Sequence, residues 1–381
     1  MLAPRDTAVS TEWRPLADLA GLAAEWRALA RRAAERNVFY EPDFALPAAE
    51  ALAPDIGAVL VRGNEPHRLI GVFPCRILRR RYGVRLPLLA AWTHPFAPLG
   101  TPLVDHDAVA PAVAGFLDHI ADDARLPKLL LLPCQVEDGP VAAAFAAAIA
   151  RRGGRSAAFG RHQRALLAPS GARVGYLEAA LGGKKRKELR RQRRRLDEAG
   201  SVAFTMAREP AEVTAALADF LALETRGWKG RAGTAAAQDG TIRQFIEAAL
   251  AGLAAHGQAR VARLVSGDRT VAMGIMFTSG SGAWFWKIAY DEDVSRASPG
   301  VQLTLDLTDA ILRDGAIEWC DSCASAEHAM IDSIWRERRT LVDHLIALES
   351  GLQFALVHRS ERIRRRAHAT ARKLRDLLAR P

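Results

Sequence analysis

The sequence predicts an α+β fold made of two mixed halves. Three observations lead there. The chain has 381 residues, more than the roughly 250–300 that one hydrophobic core usually organises. Residues 259–291 form three apolar-rich runs separated by Gly267-Asp268 and Gly280-Ser281-Gly282, the turn chemistry of a β meander. The same succession of helices, meander, helix, strand and helix also runs through each half in outline. There is no residue-level repetition, so the pattern suggests an internal duplication and no more.

Taken in order, residues 13–36 place Leu16, Leu19, Leu22, Trp26 and Leu29 at helical spacing and predict a helix. A loop through Pro42 leads to a second helix over 43–52. Residues 56–62 and 69–78 read as strands around a Gly63-Asn64-Glu65-Pro66 turn, and 85–92 as a further strand. The proline-rich stretch 93–102 is a loop. Helix 108–124, strand 128–133 and helix 141–152 complete the first half. In the second half, 176–199 predicts one long basic helix closed by Gly200. A strand (202–206) and helices over 210–226 and 242–256 follow. After the meander come a helix over 301–313 and a strand over 316–322, with Gly315 between them. We expect domains at 1–170 and 171–355, with a basic helix over 356–381.

Composition narrows the function classes. No apolar run approaches the ~20 residues that span a bilayer, and residues 1–14 lack the apolar core of a signal peptide. A cytoplasmic protein is expected. Cys75, Cys134, Cys320 and Cys323 are too few and scattered for a disulfide framework. Cys320 and Cys323 have CxxC spacing, but only His328 is near as a further zinc ligand, so no metal is expected. The net charge of +10 comes from two runs, 184–195 and 359–381; the rest of the chain is net acidic. The first run reads as a solvated helix face or as a contact for nucleic acid, anionic membrane or an acceptor's phosphates. It lacks the interleaved aromatics that stack single-stranded bases. The second places Ile363, Ala367, Leu374 and Leu378 on one side of a basic helix: a peripheral surface feature or a solvated end.

The meander, loop, helix and strand between residues 259 and 322 are the most specific stretch. Ser298-Pro299-Gly300 stands where the third meander strand gives way to a helix. Proline suits a helix start, glycine admits close approach to the backbone, and the helix N-terminus favours an anion. The same tripeptide also serves simply to start a helix.

With Val271-Ala272, Ala289-Tyr290-Asp291-Glu292, Gly315, Asp321, Trp335-Arg336, Trp228-Lys229-Gly230 and the basic helix of Arg186, Leu189 and Arg190, this stretch resembles the GNAT acyltransferases. The match is to the CelD-like (cellulose-biosynthesis) branch, which is related to Fem-type aminoacyl transferases. The resemblance covers about residues 175–350; the first half resembles a degenerate GNAT-like half in outline. The GNAT pyrophosphate loop, an Arg or Gln with two glycines, is missing, and Arg296 and Gly300 are its nearest substitutes.

The resemblance implies an acyl-CoA co-substrate, with acetyl expected, and direct attack of an amine on the thioester. Its pantetheine arm would pair with the strand ending near Tyr290 and its pyrophosphate would meet the Gly300 helix. Trp286, Ile288, Tyr290, Arg296, Ser298, Gly300 and Val301 are the implied cofactor-binding residues. Glu224, Asp321 and His328 are the catalytic candidates, read otherwise as a solvated carboxylate, a turn aspartate and a surface histidine. Trp228, Lys229, Trp335 and Arg336 are candidates for acceptor binding, with core packing or surface salt bridges as the plain alternative; Trp335 and Arg336 are expected on a helix. The partner is a small or sugar-linked amine. A tRNA, a peripheral membrane contact and a non-catalytic role on the same fold are the remaining readings.

Overall fold

A computed structural model of the chain describes residues 9–64, 67–80, 85–169, 171, 173–349 and 352–378, with backbone alone for 368, 369 and 371–378. Glu65 and Pro66 of the predicted turn, residues 1–8 and the last residues of the tail lie outside the described residues. The chain divides into two compact units. Unit 1 holds residues up to 37, 55–162 and those from 340; unit 2 holds 38–54 and 163–339. The bounds 1–170, 171–355 and 356–381 follow the repeat of the sequence pattern, and compactness divides the chain differently.

Unit 1 carries an antiparallel run of β1 (Val9–Pro15), β2 (Gly57–Gly63), β3 (Leu69–Leu78) and β4 (Leu88–Ala91). The short β5 (Leu103–Val104) pairs with β3, and β6 (Leu129–Val136) lies parallel to β4. Residues 341–347 of the strand Glu337–Ala347 pair antiparallel with β6 on its other edge. Strands β2 and β3 are continuous apolar runs because both their faces are covered. On β6, Leu130 and Leu132 join one core with the Val109–Asp122 and Pro140–Arg151 helices, where Phe73 stacks on Phe116 at 4.2 Å. Leu129 and Leu131 face the opposite way, toward Val357 of the Leu352–Leu378 helix.

Unit 2 repeats this order. Its strands are β7 (Arg155–Leu167, from residue 163), β8 (Val202–Ala207), β9 (Ala259–Ser266), β10 (Arg269–Ser279), β11 (Gly282–Tyr290) and β12 (Trp319–Asp321), arranged β7-β12-β11-β10-β9-β8. Strands β8 to β11 are antiparallel neighbours, β12 is parallel to β11, and β7 is antiparallel to β12. The Gly183–Ala199 and Pro299–Arg313 helices share a core with Ala272, Met276 and Phe285. The Pro42–Leu52 helix sends Phe44 against Phe245, Phe277 and Trp286.

Three expectations are corrected. Residues 13–36 hold the end of β1, a 3-10 turn (Leu16–Leu22) and a shorter helix (Ala23–Arg32), because Trp13 and its neighbours pair with β2. The basic helix breaks: Tyr176–Ala180 ends at an extended Leu181, and Gly183–Ala199 starts afresh. Trp335 and Arg336 precede the strand β13 (Glu337–Ala347) and do not lie on a helix. Four strands, β1, β5, β7 and β13, are not among those expected; β5 has only two residues, and the other three carry charged residues that hide the alternation.

Candidate active site

Two irregularities of β11 create the site. The parallel pairing with β12 runs from Gly282↔Trp319 to Trp284↔Asp321 and stops. Residues 285–290 of β11 thus extend past their parallel neighbour. On the other side, the pairing with β10 slips, with Met276↔Phe285 followed by Ile275↔Lys287. Trp286 is the extra residue, a β-bulge. Such bulges re-aim side chains, and here consecutive residues face the same way: Trp286 packs on Phe44 and Phe277 while Lys287 reaches Glu224 on the Pro210–Arg226 helix.

Glu224 is buried in the last turn of that helix. Its Oε1 accepts from Lys229 Nζ at 2.7 Å and from Lys287 Nζ at 3.3 Å, and its Oε2 accepts from the Ala236 N–H at 3.0 Å. Lys229 lies in the short Trp228–Arg231 helix, whose Gly230 is required by close approach: a Cβ there would meet the Thr225 carbonyl oxygen at 1.7 Å. Burial pushes the Glu224 carboxyl up, but the charge of Lys287 and the hydrogen bonds of Lys229 and Ala236 outweigh it and hold it below the ordinary glutamate value. Burial lowers Lys287 below the ordinary lysine value, with Glu224 opposing. One carboxylate with two ammonium groups leaves a net positive charge in a mostly desolvated place. Such a charge favours an anion or a developing oxyanion.

A small cavity beside the cluster is lined by Glu224, Trp228, Lys229, Ile288, Tyr290 and Glu292. It adjoins a polar groove of about 970 Å³ that shares Tyr290 and Glu292 with it and adds Arg226, Arg263 and Arg269. Trp228 and Tyr290 are exposed here. Glu292 accepts from the Trp228 N–H and from Arg231, tying the Trp228 turn to the end of β11. Glu224, Trp228, Lys229, Trp286, Ile288 and Tyr290 are thus brought together.

The Pro299–Arg313 helix starts beside this cluster. Ser298, in left-handed backbone at φ 51°, precedes it, and its carbonyl accepts from the N–H groups of Val301 and Gln302. That leaves the Gly300 N–H as the donor of the first turn with no backbone acceptor among the described residues. Gly300 is buried, and a Cβ on it would stand 3.3 Å from Tyr290 Cδ1 and 3.4 Å from Ile288 Cδ1. The glycine therefore seats the helix on β11. Val301 is half-buried against the core of unit 2, and Arg296 is exposed one turn earlier.

The remaining candidates lie apart from the cluster. Asp321 is fully buried, ion-paired with Arg164 at 2.9 Å and Arg339 at 3.0 Å, and accepts from the Cys323 N–H. Trp335 is also fully buried, its indole N–H donating to Thr308 Oγ1 at 2.9 Å. Arg336 donates to the Ala180 carbonyl at 2.8 Å. All three are engaged in contacts within unit 2. His328 is exposed in a turn. Burial raises the Cys320 and Cys323 thiols well above their ordinary value. Among the described residues, one trio, Asp105, His106 and Asp107, has metal-ligand spacing, but Arg32 and Arg68 already hold the Asp105 carboxylate.

Lys287 is absent from the cofactor-binding, catalytic and acceptor candidates read from the sequence, and Glu292 has no role among them. The bulge that turns Lys287 inward depends on pairing register, which no local pattern announces. Glu292 left a weak signal in its place just after Tyr290.

Comparisons with known proteins follow the same lines. Residues 183–329 match the family model described as Acetyltransferase (GNAT) domain. No curated relative matches the sequence. Among solved structures, a conserved protein of unknown function from Bacteroides thetaiotaomicron is similar at 13% identity and TM-score 0.54, covering 89% of this chain and 100% of its own. FemX is similar at 10% identity and TM-score 0.54, covering 85% and 95%. L-PGS from Bacillus licheniformis is similar at 13% identity and TM-score 0.52, covering 88% and 96%. At such identities the likeness is one of fold. The chain therefore has a GNAT-type fold, and the segment that matches the GNAT acetyltransferase domain is the one that contains the β11 cluster.

Proposed function

We propose that the protein is an acyltransferase of the CelD-like branch that moves an acyl group, acetyl in the first instance, from acyl-CoA to an amine in the cytoplasm. The observation that carries this is the overhang of β11 past β12 next to a half-buried Glu224–Lys229–Lys287 cluster of net positive charge. The overhanging edge suits an extended pantetheine arm, and Arg296 with the Gly300 N–H suits its diphosphate.

The co-substrate supplies an activated thioester carbonyl. The chain's own groups do the rest. Lys287 offers its ammonium to the carbonyl oxygen as negative charge develops on it. Glu224 has both oxygens occupied by donors and a lowered pKa, which makes it a poor general base. We assign it to positioning: it fixes Lys287 and keeps that amine protonated. The acceptor amine bonds to the carbonyl carbon, the C–S bond breaks, and the proton lost by the amine ends on the leaving thiolate. Trp228 and the polar groove receive the acceptor.

The test is calorimetry with acetyl-CoA and longer acyl-CoAs, followed by thiol release with amine acceptors. Lys287→Met should lower kcat about 10²–10³-fold, as for loss of one oxyanion donor, with little change in acyl-CoA affinity. Glu224→Gln removes the charge that raises the Lys287 pKa, so the alkaline limb of the rate profile should move to lower pH. A wild-type protein that binds no acyl-CoA and releases no thiol would sink the proposal.

A second reading, an aminoacyl-tRNA-dependent transferase, draws on the Gly183–Ala199 helix. Its Lys184, Lys185, Lys187, Arg190, Arg194 and Arg195 are exposed. It requires tRNA binding that weakens steeply with salt; salt-insensitive binding would remove it.

A further inference from the structure

The large hydrophobic residues that stand exposed among the described residues are few, and they gather in two places. Trp228 and Tyr290 mark the candidate site; Leu352, Leu356 and Ile363 lie on the C-terminal helix of unit 1; Val174 stands apart. At about 100° per residue, Leu352, Leu356 and Ile363 fall within an arc of roughly 40°. They form one stripe, and exposed Ala367 extends it.

The orientation of this stripe is fixed from behind. Val357 and Glu361 are fully buried on the opposite side, and Phe354 packs in the same core as Leu88 and Leu345. Glu361 pairs with Arg364 at 3.0 Å and with Arg365 at 3.2 Å. Arg365 also pairs with Asp343 and lies over the Phe159 ring. With that face docked, the helix can only turn Leu352, Leu356 and Ile363 outward. Exposed Arg359, Arg362 and Arg366 border the stripe on one side, and half-paired, exposed Arg364 borders it on the other.

We infer that this helix docks the protein flat on an anionic lipid bilayer. An apolar stripe flanked by arginines on both sides is the pattern of an interfacial helix: the stripe enters the acyl boundary and the arginines meet lipid phosphates. The two halves of the pattern exclude the other partners. A nucleic acid backbone has use for the arginines and none for the leucines. A second copy of the helix would bring like charges together around its apolar contact. Among the described residues no helix is long and apolar enough to cross a membrane. The proposal is independent of the acyltransferase reading.

The experiment is co-sedimentation of the full chain with vesicles of equimolar phosphatidylcholine and phosphatidylglycerol, and with phosphatidylcholine alone. Binding is expected to the anionic vesicles only and to weaken with salt. Ile363→Asp should weaken it about tenfold, from the loss of one buried apolar side chain, and so should the pair Arg362→Glu with Arg366→Glu. All three side chains are exposed, so thermal melts should match wild type. No binding to anionic vesicles, or binding indifferent to Ile363→Asp, would overturn the inference. So would capture of duplex RNA that depends on Arg362 and Arg366 but not on Ile363, or a dimer in sedimentation equilibrium that Leu356→Asp dissolves.

Discussion

Units 1 and 2 share one topology and differ in what they do with its central seam. Each runs strand, helix, antiparallel meander, crossover helix and a last strand parallel to the third meander strand. In unit 1 the seam strand β4 has four residues, all buried, and pairs through Leu89↔Leu130 and Ala90↔Leu131. In unit 2 the seam strand β11 has nine, and six of them continue past the pairing. Unit 1 uses the seam as core. Unit 2 leaves a strand edge beside a bulge and sets a lysine there. The comparison teaches that one order of elements can carry either a sealed seam or an overhang with a register slip.

The largest test of this contrast is to cut the chain. Unit 2 contains residues 38–54, and Phe39 and Phe44 from them form edge-to-face contacts with Trp284, Phe245, Phe277 and Trp286. Residues 171–355 expressed alone should therefore show no cooperative unfolding transition by circular dichroism. A sharp melt from that fragment would show the borrowed helix to be dispensable.

Next in size is Asp321. Asp321→Ala leaves Arg164 and Arg339 without their buried carboxylate, which should cost about 3–5 kcal/mol, read from urea unfolding. The surviving folded fraction should keep its rate. A collapse in rate at unchanged stability would move Asp321 from the frame of unit 2 into its chemistry.

The smallest effect separates the units by pH. Unit 1 half-buries His94, His119 and His344, and desolvation lowers all three, His94 to about 4. For a histidine with a depressed folded pKa, the unfolded chain takes the proton first. Its stabilisation is present above pH 6.5 and fades as pH falls to about 4. For His94 that is about 3 kcal/mol. Carboxylates held down by cations in unit 2, Glu224 and Asp314, lose theirs only as pH falls further, through their own lowered values. Hydrogen exchange across this range should loosen unit 1 first, and His94→Phe should flatten the difference.

What the sequence disclosed follows from locality. The meander was legible because its turns are glycine-rich and its strands apolar, and the 210–226 helix because its period is clean. The Trp228-Lys229-Gly230 turn and Glu224 were legible as a motif. Strand β7 was not, since Arg164 reads as a surface residue until Asp321, far along the chain, is seen to neutralise it. Lys287 between Trp286 and Ile288 reads as an outward member of an alternating strand; only the slip against β10 turns it toward Glu224.

The pairing of residues 341–347 with β6 has a consequence for how the chain is made. Synthesis runs from the N-terminus, so β6, with Leu129 to Leu132 in sequence, leaves the ribosome long before its neighbour exists. Until residue 347 emerges, unit 1 carries an open, leucine-rich strand edge, the kind of surface that pairs with other chains. A chain that stops short of this strand should therefore aggregate more readily than the full one.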